Sequence, residues 1–437
     1  MNLEVASKPD LKNNPYIQLS IILLIGFLLR IYLSTLITFE NDFKTWQWWG
    51  EGLSKVGFSN FYSNYWCDYM PGYLYILRLL TDIQNELPGL SPYILFKLPA
   101  NLSDLGISIL IFIFLKSISS TRIAMISSLA YFFNPAVLSN STFWGQVDSV
   151  HAFPILLAII LGLRKKFVLS GLFTALAFMI KPQTIVLFPI IGFIAIEPFF
   201  RSENRWNIKN FIPGTKVIVT VIVTCIVITL PFIWDKIDSF FYLITGPLEL
   251  IKERFDKAYE QYKFASLNTF NFWGVFAMWT SDETVFLGLT YKNWGTIIFG
   301  AIYASIFAFL FRFKILSKNS KQEYTYLIFQ AVTLILFSLF LFVTRAHERH
   351  LLPSIVFFTL IIFRSWIFPY LYAIVSGVYV CNMIYSYIQL TTEYTGVPDS
   401  FENILVPAMF VLYFGAFVIV LLNFVRRTLR KENTLNA

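Results

Sequence analysis

Apolar runs of membrane-spanning length recur along the whole of this chain, and they restrict its fold more than any other feature. In hydrocarbon every backbone N–H and C=O must be bonded within the protein, so runs of roughly 20 apolar residues imply helices. Such runs lie near 16–37, 92–116, 121–140, 149–163, 167–180, 184–200, 215–234, 292–312, 323–344, 351–366, 368–390 and 403–425, about twelve in all. The fourth and fifth are short and suit bent or partial helices within a protein-lined cavity. Composition agrees: the 437 residues are 57% apolar and only 14% charged, with mean hydropathy +0.63, which a soluble domain of this length does not show. The expected fold class is therefore an all-α polytopic membrane protein with about twelve transmembrane helices. No repeat of fixed period and no low-complexity segment divides it, so 1–437 is expected to form a single transmembrane domain.

The formal charge of +8 taken alone suits a nucleic-acid partner, but the basic residues fall where short cytoplasmic loops would place them. With the N-terminus inside, the inner loops carry Lys116 and Arg122, then Arg164, Lys165 and Lys166, then Arg201, Arg205, Lys209 and Lys216. Arg312, Lys314, Lys318 and Lys321 follow, and the C-terminal segment carries Arg426, Arg427, Arg430 and Lys431. The opposite-side loop 391–402 has Glu393, Asp399 and Glu402 and no Lys or Arg. A multi-pass cell-membrane protein with no nucleic-acid partner follows. Lys8 and Lys12 precede an apolar run too long for a signal-peptide core, which reads as a retained first span. Cys67, Cys225 and Cys381 are far apart without metal-ligand spacing, so neither a disulfide framework nor a metal centre is expected.

Two extracytoplasmic loops are expected to be long, 38–91 and 235–291. The first opens with Phe39-Glu-Asn-Asp42 directly after a span and continues through Trp46, Trp48, Trp49, Trp66, Tyr69 and Tyr73, an aromatic set suited to the headgroup level. Gly72 to Leu80, interrupted by Arg78, suits a helix lying in the interface. Asp42 fits either an N-cap of a helix beginning near Phe43 or a general base, and Glu40 is the other candidate base. Asp68-Tyr-Met-Pro-Gly-Tyr has the residues of a turn.

Further polar motifs fall on the same side: Trp144-Gly-Gln146-Val-Asp148, Lys181-Pro-Gln183, and Arg345-Ala-His347-Glu348-Arg349-His350. The first of these reads either as a turn with an aromatic anchor or as a sugar site, in which Gln146 and Asp148 bond hydroxyls and Trp144 supplies an apolar face. Lys181 ends a helix before Pro182 and either snorkels or meets a phosphate. The histidines of the last motif are three apart, unlike the four of zinc proteases. Its arginines suit a phosphate, on a substrate or on a phospholipid. Lys181, Arg345 and His347 have no obvious carboxylate surplus to neutralise them. Ionisable groups clustered at one end of the spans imply a polar cavity beside lipid.

Taken together these motifs resemble the GT-C superfamily, multi-span glycosyltransferases that use polyprenyl-phosphate or dolichyl-phosphate sugars. The acid after the first span and Asp68-Tyr69-Met-Pro resemble the first loop of the dolichyl-phosphate-glucose-dependent transferases, where Asp-Tyr-Pro-Pro is usual and Met70 here departs from it. That resemblance implies a catalytic base at Asp42 and a His-Glu-basic triplet at His347, Glu348 and Arg349. The Trp144, Lys181 and Arg345 segments are similar to prokaryotic, mannosyltransferase-like members. Implied are a GT-C-like fold with interfacial helices in the first outer loop, and inverting transfer of a hexose, mannose or glucose. The donor would be a polyprenyl-phosphate sugar and the acceptor a glycan, lipid or protein hydroxyl, with membrane lipids around it and no cofactor or metal. Asp68, Tyr69, Trp144, Gln146, Asp148, Lys181, Gln183 and Arg345 would join the triplet in binding substrate. Two alternatives remain open. A lipid-linked saccharide flippase or transporter predicts charges buried within spans and paired discontinuous helices, and a glycan ligase shares the fold with a different donor.

Overall fold

The computed structural model describes residues 14–316 and 321–429, and Lys8, Lys12, Lys318, Arg430 and Lys431 lie outside them. The described chain is almost entirely helical. Helix α1 (Pro15–Leu33) starts at Asn14, whose side chain accepts from the Tyr16 N–H, with Pro15 as first residue. That pairing suits a helix start, because Asn satisfies a free donor and proline has none to satisfy. Next come α2 (Glu40–Asn64), α3 (Pro71–Glu86), α4 (Pro92–Lys116) and α5 (Thr121–Phe132). The run expected as one span at 121–140 is interrupted. α5 ends at Phe132, Asn134 caps a new turn at Pro135, and a π-helical turn occupies Leu138–Trp144.

α6 (Asp148–Leu163) and α7 (Phe167–Ile180) are short, apolar and largely buried. α7 stops ahead of Pro182, leaving Lys181 extended before a 3-10 turn, Pro182–Leu187, and α8 (Phe188–Ala195). α9 (Ile212–Thr229) leads to α10 (Phe240–Glu260), which exposes Phe240, Phe241 and Leu248 along one side. α11 (Tyr291–Leu316), α12 (Lys321–Phe342), α13 (Leu352–Ile361), α14 (Phe368–Thr391) and α15 (Asp399–Leu429) complete the described chain.

Seven of these helices, α1, α4, α9, α11, α12, α14 and α15, are long and apolar enough to cross a membrane. α12 is apolar on every side and almost wholly buried, as a central helix must be. α1, α9 and α11 are mostly unburied, and on α1 the outward residues are Leu24, Ile25, Leu28 and Leu29. Such continuous apolar exteriors are those of a membrane protein.

Inside the bundle, charges meet one another. Arg30 of α1 donates to Asp104 of α4 at 2.7 Å, to Asn101 and Thr142 at 3.3 Å each, and to the Phe132 carbonyl. Asp104 also accepts from Tyr131 at 2.9 Å and Ser149 at 2.5 Å. Breaking such a buried pair costs roughly 3–5 kcal/mol, so this network ties α1, α4, α5 and α6 into one arrangement. It sits behind the loops that build the site.

Candidate functional site

Lys97 fixes the entrance to α2. Its side chain is buried in α4 and its ammonium donates to the carbonyls of Ser34 (2.8 Å), Ile37 (2.6 Å) and Phe143 (2.9 Å). The chain leaving α1 is thereby held against the chain that carries Trp144-Gly-Gln146. Gly145 sits at φ +88°, and a Cβ there would meet Lys97 Cγ at 2.9 Å, so both conformation and space require glycine.

Across this junction Asp42 Oδ2 accepts from Trp144 Nε1 at 2.9 Å and from Gln146 Nε2. The expected capping role for Asp42 is not met: α2 begins at Glu40 with Phe39 as its cap, which leaves Asp42 inside the first turn. Glu40 is exposed, accepts from Tyr93 at 3.1 Å and pairs with Lys44 at 3.8 Å, outside the cavity lining. Gln146 and Asp148 were expected to meet sugar hydroxyls. Both are buried outside the cavity lining, and they act on neighbours instead, Gln146 on Asp42 and Asp148 on Lys181.

Lys181 occupies the break after α7, in ion contact with Asp148. Asp148 is further held by Asn140 at 3.1 Å. Pro71 opens α3, so the proline and glycine of Asp68-Tyr-Met-Pro-Gly start a helix instead of closing a turn. Gly72 lets α3 approach closely, since a Cβ there would lie 2.5 Å from the Met179 carbonyl oxygen. The loop holding Asp68 is thereby seated beside Lys181.

The fourth side of the site is the 343–351 turn between α12 and α13. A parallel two-residue strand pair joins Ser266 to Ala346 and Leu267 to His347. From behind, Thr269 donates to the Ala346 carbonyl at 2.7 Å and Trp273 to the Phe342 carbonyl at 2.6 Å. These contacts aim the two arginines differently. Arg345 Nε donates to Asp282 at 2.6 Å, its Nη2 to the same carboxylate at 3.2 Å, and its Nη1 to the Tyr259 carbonyl at 2.5 Å. The expectation that Lys181 and Arg345 lack carboxylate partners is therefore corrected for both, and all three Arg345 nitrogens are engaged by the loop.

Arg349 differs. Its Nη1 donates to Glu348 at 2.8 Å, while its Nε has no protein partner among the described residues and its side chain lines the cavity. The His347 ring lies 4.9 Å from that of Tyr262 and 5.1 Å from that of His350. His350 Nδ1 accepts from the His347 backbone N–H at 3.2 Å, and the His350 ring lies against the Gln183 side-chain amide, with Nε2 3.1 Å from the amide nitrogen. Burial, with Arg349 and Lys181 nearby, holds both imidazoles well below the usual histidine range, so they are neutral hydrogen-bonding groups at pH 7. Burial also raises the Glu348 carboxyl, against the pull of Arg349.

These segments surround a cavity of about 400 Å³. Of the residues expected from sequence, Asp42, Asp68, Tyr69, Lys181, Gln183, Arg345, His347 and Arg349 line it, and Glu40, Trp144, Gln146, Asp148 and Glu348 do not. One wall is apolar, formed by Ile185 and Val186 of the 3-10 turn with Leu339, Phe340 and Val343 at the end of α12. Another is aromatic and polar, formed by Thr45, Trp46 and Trp49 of α2 with Trp66, Asp68 and Tyr69. Asp68 is half-buried, and that desolvation pushes its carboxyl up to about 6, with Arg349 and Lys181 opposing.

Sequence reading missed Lys97, Arg30 and Asp104, although lone charges inside apolar runs mark pairs. It also missed Tyr259 and Tyr262, which cover the cavity from α10 and the segment after it and carry no such signal. No protein-family model matches this chain, and no curated protein matches it.

Proposed function

We propose that the chain is an integral-membrane glycosyltransferase of GT-C type. It would pass about twelve times through the bilayer and move a hexose, mannose or glucose, from a polyprenyl-phosphate carrier to an acceptor hydroxyl on the extracytoplasmic side. The observation that carries this reading is the shared cavity, in which an oriented carboxylate, Asp42, shares one space with Lys181, Arg349 and His347 and with a wholly apolar wall. A phosphate on an isoprenoid tail needs cationic and apolar groups side by side, and this cavity offers both.

In the proposed reaction Asp42 takes the acceptor proton as the hydroxyl oxygen bonds to the anomeric carbon. The bond from that carbon to the phosphate oxygen breaks, and its electron pair leaves with the lipid phosphate. General-base help of this kind is worth about 10² to 10⁴ in rate. Lys181 keeps two N–H donors beyond the one on Asp148, and Arg349 keeps guanidinium donors beyond the one on Glu348, so both can meet charge that grows as the phosphate departs. His347, being neutral, contributes a hydrogen bond. The single displacement inverts the anomeric centre.

The transport alternative draws on Arg30, Asp104 and Lys97, which are charges buried within helices. They are spent on one another and on backbone carbonyls and line no part of the cavity, which favours a packing role. The test uses the purified protein in lipid discs with radiolabelled polyprenyl-phosphate mannose and glucose. Release of sugar to an acceptor, or slowly to water, is expected. Passage of an intact lipid-linked sugar between leaflets without cleavage would overturn the reading.

A further inference from the structure

We infer that the acceptor is a saccharide, with a sugar ring lying on the face of Trp66 and its hydroxyls bonded to Asp68 and Thr45; this inference rests on the glycosyltransferase reading. The first observation is a stripe on α2. Asp42, Thr45, Trp46 and Trp49 follow the i, i+3, i+4, i+7 spacing that puts residues on one helical face, and all four line the cavity. The carboxylate proposed as base is therefore continuous with an aromatic and hydroxyl-bearing surface. The apolar wall of Ile185, Val186, Leu339 and Val343 is a separate surface, suited to an isoprenoid tail.

The second observation is the way Trp66 is presented. Its backbone is held firmly: Trp49 Nε1 donates to the Trp66 carbonyl at 2.7 Å, Arg254 Nη1 to the Cys67 carbonyl at 3.0 Å, and Tyr62 to the Tyr69 carbonyl at 2.9 Å. Arg254 is fully buried for this purpose. Yet the Trp66 side chain leaves the residue 53% exposed, although it lines the cavity, and its nearest aromatic partner is Trp49 at 6.1 Å. A rigid loop offering an uncovered indole beside a carboxylate is a preorganised surface for a molecule with a C–H face and hydroxyls. Thr45 donates to the Asn41 carbonyl at 2.8 Å, so its oxygen remains free to accept. A long-chain alcohol would use the indole but leave Asp68 and Thr45 without partners.

The full chain in lipid discs is to be titrated with mannose- and glucose-based di- and trisaccharides, following tryptophan fluorescence, and assayed for transfer to the same sugars and to long-chain alcohols. Saccharide binding in the wild type is expected without donor. Trp66→Ala should weaken it roughly three- to tenfold, the range of aromatic contact energies, and raise the acceptor KM far more than the donor KM. Trp66→Phe should recover most of the loss and so separate stacking from folding. Transfer to alcohols or peptide hydroxyls with no preference for saccharides would overturn the inference and leave the glycosyltransferase reading intact. So would equal saccharide binding by wild type and Trp66→Ala, the result expected of a tryptophan that only anchors lipid. Saccharide binding without cleavage of any polyprenyl-phosphate sugar would instead sink the glycosyltransferase reading and keep the saccharide site.

Discussion

At the scale of single residues, two acids four positions or fewer from each other, and two arginines likewise, have opposite surroundings. Asp42 lines the cavity with its Oδ2 held by Trp144 and Gln146, whereas Glu40 is exposed to solvent. Asp42→Asn should therefore lower turnover by about two or more decades, the size of general-base effects, with Glu40→Gln far milder; single-turnover rates in lipid discs decide between them. Arg349 lines the cavity with one hydrogen bond, to Glu348, whereas Arg345 is held through Nε and Nη2 by Asp282 and through Nη1 by the Tyr259 carbonyl. A charged hydrogen bond is worth roughly 1.5–3 kcal/mol, so Arg349→Met should cost on the order of tenfold to a hundredfold, shared between donor KM and kcat. Arg345→Met should chiefly lower the unfolding temperature, because Asp282 is left buried without its cation. Equal donor KM increases in the two variants would refute the distinction. Asp68, with its carboxyl at about 6, is protonated below that pH and charged above it. Sugar hydroxyls donate better to the charged form, so acceptor KM should fall as pH rises through 6, and Asp68→Asn should flatten that limb. For stability the sign is opposite. A raised carboxyl binds its proton more tightly folded than unfolded, so its contribution is present below the ordinary aspartate range and is lost as pH climbs to about 6.

At the scale of elements, the site depends on breaks in helices. The π-turn Leu138–Trp144, the extended Lys181 and the turn 343–351 each interrupt a helical run; the last two put polar side chains on the cavity, and the first aims Trp144 at Asp42. Gly145 tests this. With φ +88° and Lys97 Cγ 2.9 Å from where a Cβ would stand, Gly145→Ala should cost about 1–3 kcal/mol, seen as a lower unfolding temperature in detergent. Because Lys97 also holds the carbonyls before α2, turnover should fall with it; a variant with wild-type stability and rate would mean that this junction does not set the site. These breaks were partly legible. Pro182 announced the end of α7, but the Pro71 and Gly72 that read as a turn start α3, since a proline suits a first helical position as well as a bend.

At the scale of the whole molecule, long helices with apolar exteriors surround the buried α12. The proposed topology puts Lys165 and Glu393, both exposed, on opposite sides of the membrane. Cysteines placed there singly in a cysteine-free background should label from opposite faces, and labelling from one face would overturn the orientation. The helical class and the positions of most helices are legible in the amino-acid sequence, because a bilayer demands internal hydrogen bonding from every apolar run and that demand is local. The sequence also marked Asp42, Lys181 and the Arg345 to His350 motif as charges at the ends of such runs. Tertiary structure alone decided which charges meet. Asp282, distant in sequence, pairs with Arg345 at the cavity wall, and Asp148 claims Lys181 from beyond a helix break. The same is true of the unclaimed Arg349 Nε and the uncovered Trp66. Hydrophobicity belongs to a stretch of chain, whereas the energy of a charge at low dielectric depends on which distant segment packs within a few ångströms of it.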